Sequence, residues 1–180
     1  MPSAHRSSWL VQPLSKQHNR AAFACGNEIL DRYLKEIASQ DARRLIAAPF
    51  VLVEATAPKT ICGYYTLSSF GIALDELPAA IARKLPSYPI VPTTLLGRLA
   101  VDQNHRGQGM GEFLLMNALR RAHLQTSEIA SHAIVVDAID DQAVRFYQHF
   151  NFIQFPQRPD RFFLPMKTIS ALIDELEEKS

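Results

Sequence analysis

The strongest constraint on the fold lies where an apolar run meets a cluster of glycines and then a second apolar run. Thr93 to Val101 is mostly apolar on both faces, as expected for a central strand covered on both sides. His105-Arg106-Gly107-Gln108-Gly109-Met110-Gly111 follows, after which Phe113, Leu114, Leu115, Met116, Leu119 and Ala122 form an apolar helix. Ala133 to Val136 reads as another buried strand, so the segment is a β-loop-α-β unit. A strand of this kind needs helices packed on its sheet, which places the chain in the α/β (α+β) class.

The flanking segments add antiparallel strands and further helices. Ser8 to Val11 reads as a short first strand ending at Pro13, followed by a polar turn through Lys16, Gln17 and His18. Ile29, Leu30, Tyr33, Leu34 and Ile37 recur at helical spacing behind a possible cap at Asn27, which predicts an amphipathic helix running toward Arg44. Phe50–Ala55 and Ile61–Leu67 read as a hairpin around Pro58. Pro78, Pro86, Pro89 and Pro92 leave room for a short helix at Ala79 to Lys84 and then a kinked, functional connection. Asp140 or Asp141 can cap a helix whose Ala143, Val144, Phe146, Tyr147 and Phe150 lie inward, and Asn151 can end it in a left-handed turn. Phe152–Phe155 and Arg161–Leu164 read as a closing strand pair, and Ile169, Leu172, Ile173 and Leu176 mark a C-terminal helix with an acidic face.

Composition excludes more than it selects. The 180 residues suit one globular domain, residues 1–180, without a linker or repeat. With 19 Lys and Arg against 18 Asp and Glu, any contact to nucleic acid or membrane must be a local patch. Cys25 and Cys62 make neither a disulfide framework nor a zinc site alone, and His5, His18, His105, His123, His132 and His149 show no metal-like spacing, so no metal is implied. A reducing cytoplasm fits this cysteine usage. Met1 to Leu10 reads as neither a signal peptide nor a membrane span.

Arg106, Gly109 and Gly111 stand at the spacing R-x-x-G-x-G between strand and helix. Glycines let a ligand approach the backbone, free N–H groups at a helix start donate to phosphate oxygens, and Arg106 can add a charge-assisted bond. A nucleoside-triphosphate loop needs Gly-Lys-Ser or Gly-Lys-Thr, which the chain lacks, and the glycines do not match a dinucleotide fingerprint in a first βαβ unit. CoA pyrophosphate and a merely structural turn remain.

In this loop the sequence resembles the GNAT superfamily, whose acetyl-CoA loop is [QR]-x-x-G-x-[GA]. The resemblance implies the acyl-CoA N-acyltransferase fold, a central mixed β-sheet flanked by helices, with acetyl-CoA as cosubstrate. It assigns pantetheine pairing to Leu99, Ala100 and Val101 and pyrophosphate binding to Arg106, Gly107, Gln108, Gly109, Met110 and Gly111. A second family element appears as Asp140-Asp141-Gln142-Ala143-Val144-Arg145-Phe146-Tyr147, with Asp140 standing where the family commonly has Asn in contact with CoA. The resemblance makes Tyr147 the general acid for the departing thiolate. A phenol with an ordinary pKa of about 10 keeps its proton at neutral pH. Read from residues alone, Tyr147 is equally one more inward aromatic beside Phe146 and Phe150.

Many members of that family carry a Glu on the central strand as base, but Thr94 to Val101 has no carboxylate. Deprotonating a lysine amine at pH 7 costs roughly 4 kcal/mol, against at most about 1.4 kcal/mol for an α-amine. The strand therefore favours an α-amine acceptor. Consistent with this, Cys25 to Leu34, Arg83 to Pro89, Leu95 to Asp102 and Phe146-Tyr147 resemble the GNAT toxins of bacterial type II toxin–antitoxin pairs. That resemblance implies acetylation of aminoacyl-tRNA, inhibition of translation, a ribbon-helix-helix antitoxin and a homodimer.

A tRNA acceptor needs cations. Arg32, Lys35, Arg43 and Arg44 offer one patch, which is equally a solvated helix face, and Arg83, Lys84 and Arg98 offer another. Arg98, alone on an apolar strand, must meet a carboxylate, a phosphate or solvent. Two other readings use the same sequence: an acetyltransferase of a small amine or protein N-terminus, and a nonenzymatic CoA-binding or DNA-binding regulatory module.

Overall fold

A computed structural model describes residues 8–180; the expectations for Met1 to Ser7 lie outside the described residues. Seven strands form one mixed sheet in the order β1-β2-β3-β4-β5-β7-β6. They are β1 (Trp9–Pro13), β2 (Ala48–Glu54), β3 (Gly63–Ala73), β4 (Ile90–Val101), β5 (Ala133–Asp137), β6 (Ile153–Phe155) and β7 (Arg158–Pro165). β1 pairs antiparallel with β2, β4 parallel with β5, and β7 antiparallel with both β5 and β6. The parallel pair is the one joined by a helical crossover, α4 (Met110–Gln125), as two parallel strands require.

The contacts group into two compact units: residues up to Thr66 with Arg98–Asn117, and Leu67–Gly97 with Ala118–Ser180. In the first, Phe23, Leu34, Val51, Val53 and Tyr64 make a core, with the Phe23 and Tyr64 rings edge to face at 5.5 Å. In the second, Ile72, Leu77, Val135, Phe155 and Phe163 do so, with the two phenylalanine rings 5.0 Å apart.

The predicted helix toward Arg44 exists, but in three pieces: α1 (Glu28–Arg32), a π-helical turn at Tyr33–Ile37, and α2 (Ala38–Arg43). Asn27 caps it through bonds from the Ile29 and Leu30 N–H groups. Leu30, Tyr33, Leu34 and Ala38 are buried, whereas Ile29 and Ile37, expected on the same face, are exposed. A wide turn rotates the apolar stripe, so a strict 3.6-residue count misplaces its ends. His18, read as part of a polar turn, is buried and bonded to Ser15 and Gln12.

Elsewhere the strands run longer than their apolar cores. β3 extends to Ala73 and β4 begins at Ile90, because ladder pairing continues through half-exposed residues. The short helix before β4, α3, covers Ala79–Ala82. Asp140 caps α5 (Asp141–His149), Asn151 takes the left-handed conformation at φ 63°, and α6 (Met166–Glu178) buries Ile169 and Ile173. Among the described residues no helix is long and apolar enough to cross a membrane.

Candidate active site

The glycine loop, the candidate cofactor site, begins where β4 outruns its parallel neighbour. The β4–β5 register ends at Leu96↔Val136, and β4 continues through Leu99, Ala100 and Val101. Ala100 is buried, while Leu99 and Val101 are half-buried. Asp102 then turns the chain: its buried carboxylate accepts from the Ala24 N–H at 3.0 Å and the Asn104 N–H at 2.9 Å. A 3-10 turn at Gln103–His105 leads into the glycine segment.

Residues 106 to 109 are exposed, and Gly107 and Gly109 hold φ of 74° and 81°. A Cβ at either would meet nothing within 4 Å, so conformation rather than space demands glycine there. Met110 is buried, which leaves only its backbone N–H for a ligand at the start of α4. Arg106 donates from Nη2 to the Cys25 carbonyl oxygen. Beneath it Gly26 has φ 86°, and a Cβ there would come within 2.9 Å of Arg106 Nη2. The exposed loop, its two left-handed glycines and the anchored guanidinium at a 16-residue helix start fit a pyrophosphate.

Tyr147 is the one fully buried residue of α5; Ala143, Val144, Phe146 and Phe150, expected inward with it, are half-buried. Its ring lies 5.3 Å from those of Phe146 and Phe152. Burial, reinforced by the negative charge of Asp137, pushes the phenol above its ordinary 10. Arg161 holds Asp137 in a bidentate pair at 2.7 and 3.0 Å. Asp140 is exposed, with Oδ1 accepting from the Ala143 N–H at 2.8 Å, so part of its hydrogen-bonding capacity serves the helix end.

The cations separate into distinct settings. Arg32, Lys35, Arg43 and Arg44 are exposed, and Arg32 pairs with Glu36 at 2.8 Å. A surface pair of this kind contributes little, and it leaves one charge of the patch already partnered. Arg83 and Lys84 are exposed, and Arg83 borders a cavity of about 620 Å³ between Ala73–Asp75, Ala82 and the Ser87–Pro89 turn. Among the described residues Arg98 pairs with no carboxylate: its guanidinium lies 3.4 Å from the centre of the Tyr33 ring, whose hydroxyl donates to Asp41. A π face is a partner beyond the carboxylate, phosphate or solvent expected from the sequence.

The fold also assembles a group that spacing could not suggest. A ligand atom from each of Glu54, Cys62 and His105 lies within 4.8 Å of the other two. Their separations in sequence carry no metal pattern, since only the folded chain brings the end of β2, the residue before β3 and the turn after β4 together.

Comparison with known proteins places the chain in a family. The acetyltransferase (GNAT) domain matches residues 50–154, more than half of the chain, and the chain belongs to that family of acetyl-CoA-dependent acetyltransferases. Its similarity then narrows. It is 33% identical over 162 residues, 90% of this chain and 95% of the other, to a tRNA-acetylating toxin of Mycobacterium tuberculosis. It is 28% identical over 172 residues, 91% of this chain and 94% of the other, to the probable toxin TacT of Sinorhizobium fredii. Among solved structures it resembles AtaT in complex with acetyl-methionyl-tRNAfMet, with a TM-score of 0.84, 27% identity, and coverage of 92% and 99% of the two chains. It also resembles AtaTR bound with acetyl-CoA (TM-score 0.79, 25% identity, coverage 92% and 98%) and AtaT bound to the C-terminus of the antitoxin AtaR (TM-score 0.78, 25% identity, coverage 91% and 97%).

Proposed function

We propose that this protein is the toxin of a type II toxin–antitoxin pair, transferring acetyl from acetyl-CoA to the α-amine of aminoacyl-tRNA and so blocking translation. The observation that carries the reading is likeness along nearly the whole chain to a tRNA-acetylating toxin. The β4 segment supports it physically: Gly97 to Val101 carries no carboxylate, so an amine that is already largely neutral is the acceptor best served.

In this reading the neutral amine attacks the thioester carbonyl, forming a C–N bond and a tetrahedral oxyanion. A backbone N–H from Leu99 to Val101 stabilises that oxyanion. Collapse breaks the C–S bond, the amine proton leaves to solvent, and the Tyr147 hydroxyl donates to the departing thiolate. A thiolate with a reference pKa of about 8.5 is a weaker base than the phenolate of Tyr147, so the phenolate promptly recovers a proton from the solvent that accepted the amine proton, which balances the transfer. Arg106 and the backbone N–H groups of residues 107 to 111 hold the pyrophosphate, while Leu99, Ala100 and Val101 pair with pantetheine. Asp140 lies on the CoA side of this scheme, and its carboxylate can serve only a hydrogen-bond donor there.

Arg98 and the exposed Arg32, Lys35, Arg43, Arg44, Arg83 and Lys84 supply the tRNA contacts in the same proposal. The Tyr33 face orients Arg98 while leaving its N–H edges to a phosphate. The chain works as a cytoplasmic homodimer and is neutralised by a ribbon-helix-helix antitoxin.

Incubation with labelled acetyl-CoA and a full set of charged tRNAs tests the function. Nuclease digestion followed by mass spectrometry should show N-acetyl-aminoacyl-adenosine. If no charged tRNA yields this product, the reading falls.

A further inference from the structure

We propose that Glu54, Cys62 and His105 form a zinc site that clips the end of β2 and the start of β3 to the turn after β4. The three side chains differ in chemistry in the way zinc accepts: one carboxylate, one thiolate and one imidazole. On a tetrahedral ion, with bonds of about 2.0 to 2.3 Å, donor atoms stand roughly 3.3 to 3.7 Å apart. The ligand atoms stand within 4.8 Å of one another, so binding an ion requires the side chains to draw together by about 1 Å.

The framework beneath the three is rigid. The Cys62 N–H donates to the Leu52 carbonyl at 2.8 Å, and the Cys62 carbonyl accepts from the Asp102 N–H at 2.8 Å. Cys62 is buried, while Glu54 and His105 are half-buried, so an ion can enter from their side.

The second observation lies behind the histidine. Asp102 Oδ1 stands 3.4 Å from His105 Nδ1, and the same carboxylate is fixed by the Ala24 and Asn104 N–H groups. A ring whose Nδ1–H faces a carboxylate presents Nε2 as ligand, the arrangement that sets tautomer and orientation in metal-bound histidines. Among the described residues the Glu54 carboxylate makes no hydrogen bond or ion pair. The fourth position belongs to water. Acetyl transfer needs no such ion; its effect is on the stability of the first unit.

The test uses the untagged full chain. Titration with Zn²⁺ against a chromophoric chelator should give one tight ion per chain and a raised melting temperature that chelation reverses. Co²⁺ in place of zinc should show a thiolate charge-transfer band. Cys62→Ser should lose that band and His105→Gln should weaken binding, each by more than the roughly 10- to 100-fold that a change in an outer partner costs. Cys25→Ser should keep both. Circular dichroism establishes that each variant is folded. Absence of stoichiometric zinc or of the cobalt band in the unmodified chain overturns the proposal regardless of how the variants behave. Full affinity in folded Cys62→Ser does so as well.

Discussion

In the glycine loop, residues 106 to 109 are exposed and two of them take positive φ, whereas Tyr147 is packed between Phe146 and Phe152 with its phenol pushed upward by burial. In the proposed mechanism the loop acts through the backbone N–H groups of residues 107 to 111 beside the Arg106 guanidinium, so beyond Arg106 its chemistry depends on conformation. In the same proposal Tyr147 acts through a single oxygen. The two regions should therefore fail differently, one in cofactor affinity and the other in turnover.

The largest expected effect is at the side-chain end of this contrast. Tyr147→Phe keeps the ring packing and removes the proton donor, so kcat should fall roughly 100- to 10,000-fold while acetyl-CoA affinity, measured by calorimetry, is unchanged. A parallel loss of affinity would mean that the two regions are not separable.

Gly109→Val addresses the backbone end. A β-branched residue at φ 81° costs of order 1–3 kcal/mol although nothing lies near the added Cβ. Acetyl-CoA binding should weaken accordingly. Gly109→Asn should be milder, because Asn tolerates the left-handed region. Equal damage from both would show that contact, not conformation, governs the loop.

Arg98→Gln should leave acetyl-CoA binding intact and lower the salt dependence of tRNA binding by about one counterion. Measured slopes of log affinity against log salt decide this, and an unchanged slope removes Arg98 from the phosphate contacts.

The smallest effect concerns stability. Burial, the first cause, pushes the Cys25 thiol from 9.0 to about 11. The folded chain then retains a proton that the unfolded chain releases, so this contribution is whole below pH 9 and lost as pH rises toward 11. The melting temperature should decline more gently across that window in a Cys25→Ala variant.

Periodicity and glycine spacing made β4, the loop and α4 legible, because a buried strand, a ligand loop and an apolar helix each leave a local pattern. Asp140 and Asn151 were legible for the same reason, as caps with local rules. The π turn at Tyr33–Ile37 was not, since its wide spacing imitates an ordinary helix until Ile29 and Ile37 are seen to be exposed. The partner of Arg98 and the grouping of Glu54, Cys62 and His105 were hidden for a different reason. Both arise from elements distant in sequence.

The most direct test of the central claim compares kcat/KM for aminoacyl-tRNA with that for a lysine-containing peptide at one pH. A strong preference for the charged tRNA, reduced as salt rises, is expected. Equal or better acetylation of the lysine peptide would contradict it.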